Sequence, residues 1–120
     1  MNGFVDNSNR ALMSVSVSAS DCNQPVEVEV WIDTAFDGHF VMSTNLIKEL
    51  GLDTLAVTEA VLADGSQVIL QSYVCYMEWF GQTIAAQVIE NDGKYPLLGT
   101  ARLDNRRLSI DYAAKSVKLI

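Results

Sequence analysis

Trp31-Ile32-Asp33-Thr34-Ala35-Phe36-Asp37-Gly38 is the stretch on which the reading of this chain turns. Upstream of Asp33 the residues alternate. Val26, Val28, Val30 and Ile32 face one way and Glu27, Glu29 and Trp31 the other, the period-two mark of a half-buried strand. That strand runs straight into an acid, a hydroxyl residue and a small residue, and then into a second acid beside a glycine. An acid at a strand end either caps a turn or carries chemistry. The rest of the chain has to decide between the two.

Working outward, Ala11 to Ser18 alternates as a first strand, with Met13, Val15 and Val17 on its apolar side, and Asn23-Gln24-Pro25 supplies the turn after it. Beyond the central stretch, Phe40-Val41-Met42 reads as a short buried strand. Ser43 or Thr44 then caps a short helix whose stripe is Leu46, Ile47 and Leu50, stopped at Gly51. Leu55 to Ala63 and Gln67 to Trp79 form a long hairpin joined through the two-residue turn signal Asp64-Gly65. Gly81 turns the chain into a strand over Thr83 to Glu90, and Asn91-Asp92-Gly93 turns it again. Leu97-Leu98 is a short apolar run ended by Gly99, and Thr100 to Asp104 predicts one helical turn. Strands over Leu108 to Ile110 and Ser116 to Ile120 complete the chain. The expectation is one small all-β domain, 1–120, with one or two short helices and no internal repeat or linker.

Composition agrees and narrows the chemistry. Val, Ile and Thr make up 26 of 120 residues, a lean toward strands. The net charge of −7, with acids spread along the chain, argues against nucleic-acid binding, which needs a basic surface. A single histidine, His39, and two cysteines, Cys22 and Cys75, cannot build a Cys/His zinc cluster, and no metal is expected. No G-x-S-x-G, G-x-G-x-x-G or P-loop motif occurs, so no nucleotide cofactor is expected either. The longest uncharged stretch, Gly65 to Met77, is too short to span a bilayer. Met1 to Asp6 lacks the basic and apolar regions of an export signal, which predicts a cytoplasmic protein with reduced thiols.

Four segments then come in a telling order: Asp33-Thr34-Ala35-Phe36-Asp37-Gly38, Leu46 to Leu52, Ala63-Asp64-Gly65-Ser66, and Leu97-Leu98-Gly99-Thr100. In order and approximate spacing this resembles the retroviral-type, retropepsin-like aspartic proteases, most of all their single-domain bacterial members. Gly3-x-Val5 and Leu108-Ser109-Ile110-Asp111 are similar to that group as well. The resemblance implies a small, closed, barrel-like fold that works as a two-fold homodimer on an extended peptide, without a cofactor. It implies that Asp33 is catalytic, with Thr34 and Ala35 supporting the loop. Asp37 and Gly38 would touch substrate, and Ala63, Asp64, Gly65 and Ser66 would form a mobile flap over it.

The residue types suit that chemistry. Two carboxylates around one water can hydrolyse a peptide, one as base and one as acid, sharing a proton because two close carboxylates do not both ionise. The chain has one Asp-Thr-Ala, and Asp53-Thr54-Leu55 lacks the small third residue, so a symmetric dimer would have to supply the second acid. Ala35 stands where the family usually has glycine. Thr100 stands where retroviral members place an arginine opposite the second acid, leaving Arg102 and Arg106 as candidate partners of Asp37. Those two departures keep open a catalytically inactive peptide-binding or dimerisation module. The apolar end Val117-Leu119-Ile120 fits an interface strand.

Overall fold

The computed structural model describes residues 1–20 and 24–120, so Cys22 and the Asn23 end of the expected turn lie outside the described residues. The described residues form ten strands and one α-helix: β1 (Asn2–Val5), β2 (Ala11–Ser18), β3 (Val26–Ile32), β4 (Phe40–Ser43), α1 (Thr44–Leu50), β5 (Asp53–Val61), β6 (Gln67–Trp79), β7 (Gln82–Asn91), β8 (Leu97–Leu98), β9 (Leu108–Asp111) and β10 (Ser116–Leu119). A single 3₁₀ turn covers Thr100–Arg102. The expected all-β architecture with one or two short helices is what forms.

The strands make one sheet in the order β5-β6-β7-β4-β8-β3-β2-β1-β10-β9. It curls on itself, because β6 also pairs with β2 through Val17–Met77 and Ser18–Tyr76. That closure wraps the alternating apolar faces into one core. Met13, Val15, Val17, Val30, Phe40, Met42, Met77 and Val88 are fully buried there, with Ile47 of α1 covering one side. In β3 the predicted alternation holds from Glu27 to Ile32, while Val26 at its start is exposed.

The helix follows its local code. Ser43 is the cap, its hydroxyl accepting the Leu46 N–H at 3.2 Å. Gly51 ends it in the left-handed region (φ 67°), with its N–H returning to the helix carbonyls. Cys75 has no exposure, and burial pushes its thiol up to about 12, so it packs as an inert apolar group.

One feature departs from the sequence reading. The N-terminal Asn2–Val5 is a strand, held by backbone pairing to β10 at the other end of the chain and to β2. Within the chain, Val117 and Leu119 of the apolar C-terminal strand fill the core and Ile120 is exposed, and β10 has a neighbour on each edge, β1 and β9.

Candidate active site

Asp33 leaves β3 where the sheet splits. β8 runs parallel to β3 (Trp31–Leu97, Ile32–Leu98) and antiparallel to β4 (Phe40–Leu98, Val41–Leu97), so it wedges between the strands on either side of the Asp33 loop. Backbone bonds from residues 98–101 then clamp both arms of that loop. The Asp33 N–H donates to the Leu98 carbonyl (2.9 Å), and Gly99 N–H to His39 O (2.8 Å). Thr100 N–H donates to Phe36 O (2.8 Å) and Ala101 N–H to Gly38 O (3.2 Å). The Thr100 hydroxyl adds a bond to the same Phe36 carbonyl at 3.3 Å. Within the loop, Phe36 N–H returns to Asp33 O at 3.2 Å, and the Asp33 carboxylate accepts the Ala35 N–H at 2.9 Å. This side-chain-to-backbone turn fixes the carboxylate at the loop's mouth, half-buried, with Thr34 and Ala35 exposed beside it.

Gly99 is required by proximity. A Cβ there would stand 2.2 Å from the Gly38 carbonyl oxygen and 2.8 Å from that of Phe36. The apolar-apolar-glycine segment therefore packs directly on the loop. Gly38 is similarly closed off, by the Phe36 ring.

Asp33 and Thr34 share a depression of about 340 Å³ with Trp31, Ile32 and Leu97. A second depression adjoins it through Trp31 and Leu97 and extends to Arg10 and Tyr95. There the Arg10 guanidinium lies 4.2 Å from the Tyr95 ring centre, its Nε 2.8 Å from Asp6. Trp31 meets Tyr95 edge-on at 6.2 Å. Trp31 stands on the outer face of β3, 38% exposed, as a wall of the Asp33 depression. Its place in the outward half of the alternation was the signal for this. The convergence of Arg10 and Tyr95 on it has no local signature.

Asp37 is exposed, and neither it nor Gly38 lines the Asp33 depression. The expected partners do not reach it. The one ion pair among the described residues is Arg10–Asp6, Arg106 stacks on Phe80, and Arg102 lines a separate cavity. His39 is half-buried, and its Nδ1 accepts the Gln87 N–H at 3.2 Å. Burial first, and the nearby Arg102 charge second, hold its pKa below the ordinary 6.5. A folded pKa below the unfolded value means that acid favours the unfolded chain. The stability from neutral His39 is complete above about pH 6.5 and declines below it. The thermal midpoint should therefore fall less in His39→Gln than in the parent between about pH 7.5 and about pH 5.5.

The segment expected to be a flap lies on a two-stranded ribbon. β6 gains β7 as a neighbour only from Ser72 onward, so residues 67–71 pair with β5 alone. The Ser72 hydroxyl pins the ribbon's base to the Ala56 carbonyl at 2.9 Å. Val57, Val61, Leu62 and Ile69 are all exposed. The tip is a three-residue loop, Ala63-Asp64-Gly65, and not the two-residue turn the dipeptide signalled. Leu62 N–H bonds to Ser66 O (2.8 Å), and Gly65 N–H to Leu62 O (2.9 Å). The reason is Asp64. A two-residue turn of the mirror-image kind needs positive φ at both central residues, and here only Gly65 has it, at 85°. Asp64 instead accepts the Ser66 N–H (2.9 Å) and hydroxyl (2.6 Å), which also lowers its pKa. The tip residues do not line the Asp33 depression.

In hydrogen exchange, residues 62–68 should open far more readily than Met13 to Val17, having little buried apolar surface. Gly65→Val forces a β-branched residue into the left-handed region and should speed exchange across that segment about tenfold or more. Unchanged rates would show that the loop does not depend on this backbone state.

Neither family models nor curated proteins give a match to the sequence. Solved structures do. A retropepsin-like aspartic protease from Rickettsia conorii aligns with a TM-score of 0.69 at 15% identity, covering 99% of this chain and 88% of that one. EIAV protease in complex with an inhibitor aligns at 0.59 with 19% identity, covering 83% and 90%. With its sheet closed through β6 and β2 and its Asp33 loop clamped by residues 98–101, the chain has the fold of the retropepsin-like aspartic proteases.

Proposed function

We propose that this chain is one subunit of a homodimeric aspartic endopeptidase in which Asp33 from each copy shares a proton and activates one water. The observation that carries the reading is the Asp33 loop itself. Within a retropepsin-like fold, a half-buried carboxylate is held at the end of β3 by its own turn bond and by the clamp of residues 98–101. One ionised Asp33 would take a proton from the water as it attacks the peptide carbonyl. The protonated partner would hydrogen-bond to and then protonate the carbonyl oxygen. The exposure of the 62–66 loop, on a ribbon that pairs only within itself up to Gln71, suits a flap that closes on an extended peptide and excludes water. Thr34, next to the carboxylate and exposed, would hydrogen-bond across the two-fold axis of such a dimer.

A second reading has its own support. Asp37 lacks an ion partner among the described residues, and Ala35 replaces glycine in the loop. An inactive module that binds peptides or dimerises would tolerate both. Peptide-library cleavage, followed by mass spectrometry alongside sedimentation across a concentration series, separates the two. The protease reading expects a bell-shaped pH profile and activity that tracks the dimer fraction. Dimers without cleavage at any pH support the module. Cleavage by a species of single-chain mass overturns the shared site.

A further inference from the structure

On the far side of the clamp lies a cavity of about 320 Å³ between the β6–β7 turn and the 3₁₀ segment, sharing no residue with the Asp33 depression. Arg102 and Arg106 both line it, with Gln82, Asp104 and the rings of Trp79 and Phe80. The two arginines are held differently. Arg106 lies flat on Phe80, its guanidinium carbon 3.5 Å from the ring centre, and Phe80 is itself fixed edge-on against Trp79 at 5.2 Å. Phe80 takes a positive φ of 49°, a backbone state uncommon for an aromatic residue, to present that ring. Arg102 rises from the 3₁₀ turn with its Nε enclosed by protein and no acceptor within reach.

An enclosed guanidinium N–H without an acceptor is costly, and native proteins satisfy the large majority of such groups. No carboxylate comes within ion-pair distance of either arginine among the described residues. Asp104 lines the same cavity and offsets one of the two positive charges, leaving a net charge of one. The two terminal nitrogens of a guanidinium match the two oxygens of a carboxylate in a paired geometry. We propose that this cavity is a carboxylate-binding site, in which Arg102, its Nε enclosed, meets the ligand through its terminal nitrogens, Arg106 supplies a second pre-positioned charge and Gln82 a neutral donor. Main-chain and side-chain carboxylates of peptides both fit this chemistry. The site is independent of the proposed role of Asp33.

The test is an NMR titration of the whole protein, labelled with ¹⁵N, at fixed ionic strength. N-acetylglycine presents a main-chain carboxylate, the α-amide of N-acetylglutamate a side-chain one, and N-acetylglycinamide is the neutral control. Saturable movement of the Arg102 Nε–H and Ala101 amide signals with either acid, and not with the amide, supports the site. The acid that saturates at lower concentration identifies the source. Arg102→Gln and, separately, Arg106→Gln should each weaken the Ala101 response about tenfold or more, the loss expected for a charge-assisted bond. Arg106 is exposed, so its variant keeps the test alive should Arg102→Gln fold poorly. Asp104→Asn should tighten binding by removing the competing charge. Equal responses to acid and amide would overturn the proposal. So would an Asp104→Asn protein that binds no better and melts lower, because Asp104 would then be the arginines' own partner.

Discussion

Under the proposed protease mechanism, Asp33→Asn is expected to cut peptide cleavage by about a thousandfold or more while leaving the fold and the proposed dimer intact. The substitution keeps the shape of the side chain, and the Asn carbonyl oxygen can still accept the Ala35 N–H that Asp33 holds at 2.9 Å. What it removes is the ionisable proton. A dyad of two amides can neither deprotonate water nor hand a proton to the carbonyl. It also removes the single negative charge that the proposed dyad would share, so dimer affinity should hold or rise. The measurement pairs turnover with sedimentation and thermal midpoint on the same preparations. Cleavage that survives in the variant would remove Asp33 from the mechanism, and turnover lost together with the dimer would make its role structural.

Gly99→Ala is the second large effect, and it falls on stability. Gly99 has φ −94° and ψ 175°, ordinary extended backbone, so an alanine meets no torsional objection there. The objection is contact. The new methyl would sit 2.2 Å from the Gly38 carbonyl oxygen and 2.5 Å from the Phe36 ring. A backbone oxygen held in the Ala101 N–H bond cannot step aside as a flexible side chain could. Overpacking of this kind costs about 1–3 kcal/mol, enough to lower the thermal midpoint of a domain this size by roughly 5–12 °C. Because relief can come only from displacing the Asp33 loop, cleavage should fall as well. A midpoint within about 2 °C of the parent would mean that the clamp yields without cost.

Much of this architecture could be read locally because its determinants are local. The alternation in Glu27 to Ile32 reports one wet and one dry face, and Ser43 and Gly51 bracket α1 through bonds spanning a few residues. Asp33 and Thr34 stood out because an apolar strand ends on them, and the structure places them side by side in one depression. What escaped was set by distant partners. Asn2–Val5 carries no useful alternation and is a strand only because β10 and β2 lie beside it. The use of Val117 and Leu119 as core, and the stacking of Arg106 on Phe80 instead of pairing with Asp37, follow from which surfaces the closed sheet brings together. The length of the loop at Ala63 to Gly65 escaped for a subtler reason. The Asp64-Gly65 dipeptide serves two turn types, and the choice rests on the Asp64 bonds to Ser66.

The pairing of the first and last strands has a topological consequence. The Leu119 N–H donates to the Met1 carbonyl at 2.8 Å, and the Met1 ammonium donates to the Leu119 carbonyl at 2.6 Å. The two ends thus sit as the open mouth of an antiparallel hairpin, a gap that a linker of about two to five residues bridges in ordinary proteins. Ligating Ile120 to Met1 through such a linker would give a ring with the same sheet and a more restricted unfolded chain. New ends could then be cut in the exposed turn at Asn91–Gly93, making a circular permutant in which the present ends lie in mid-chain.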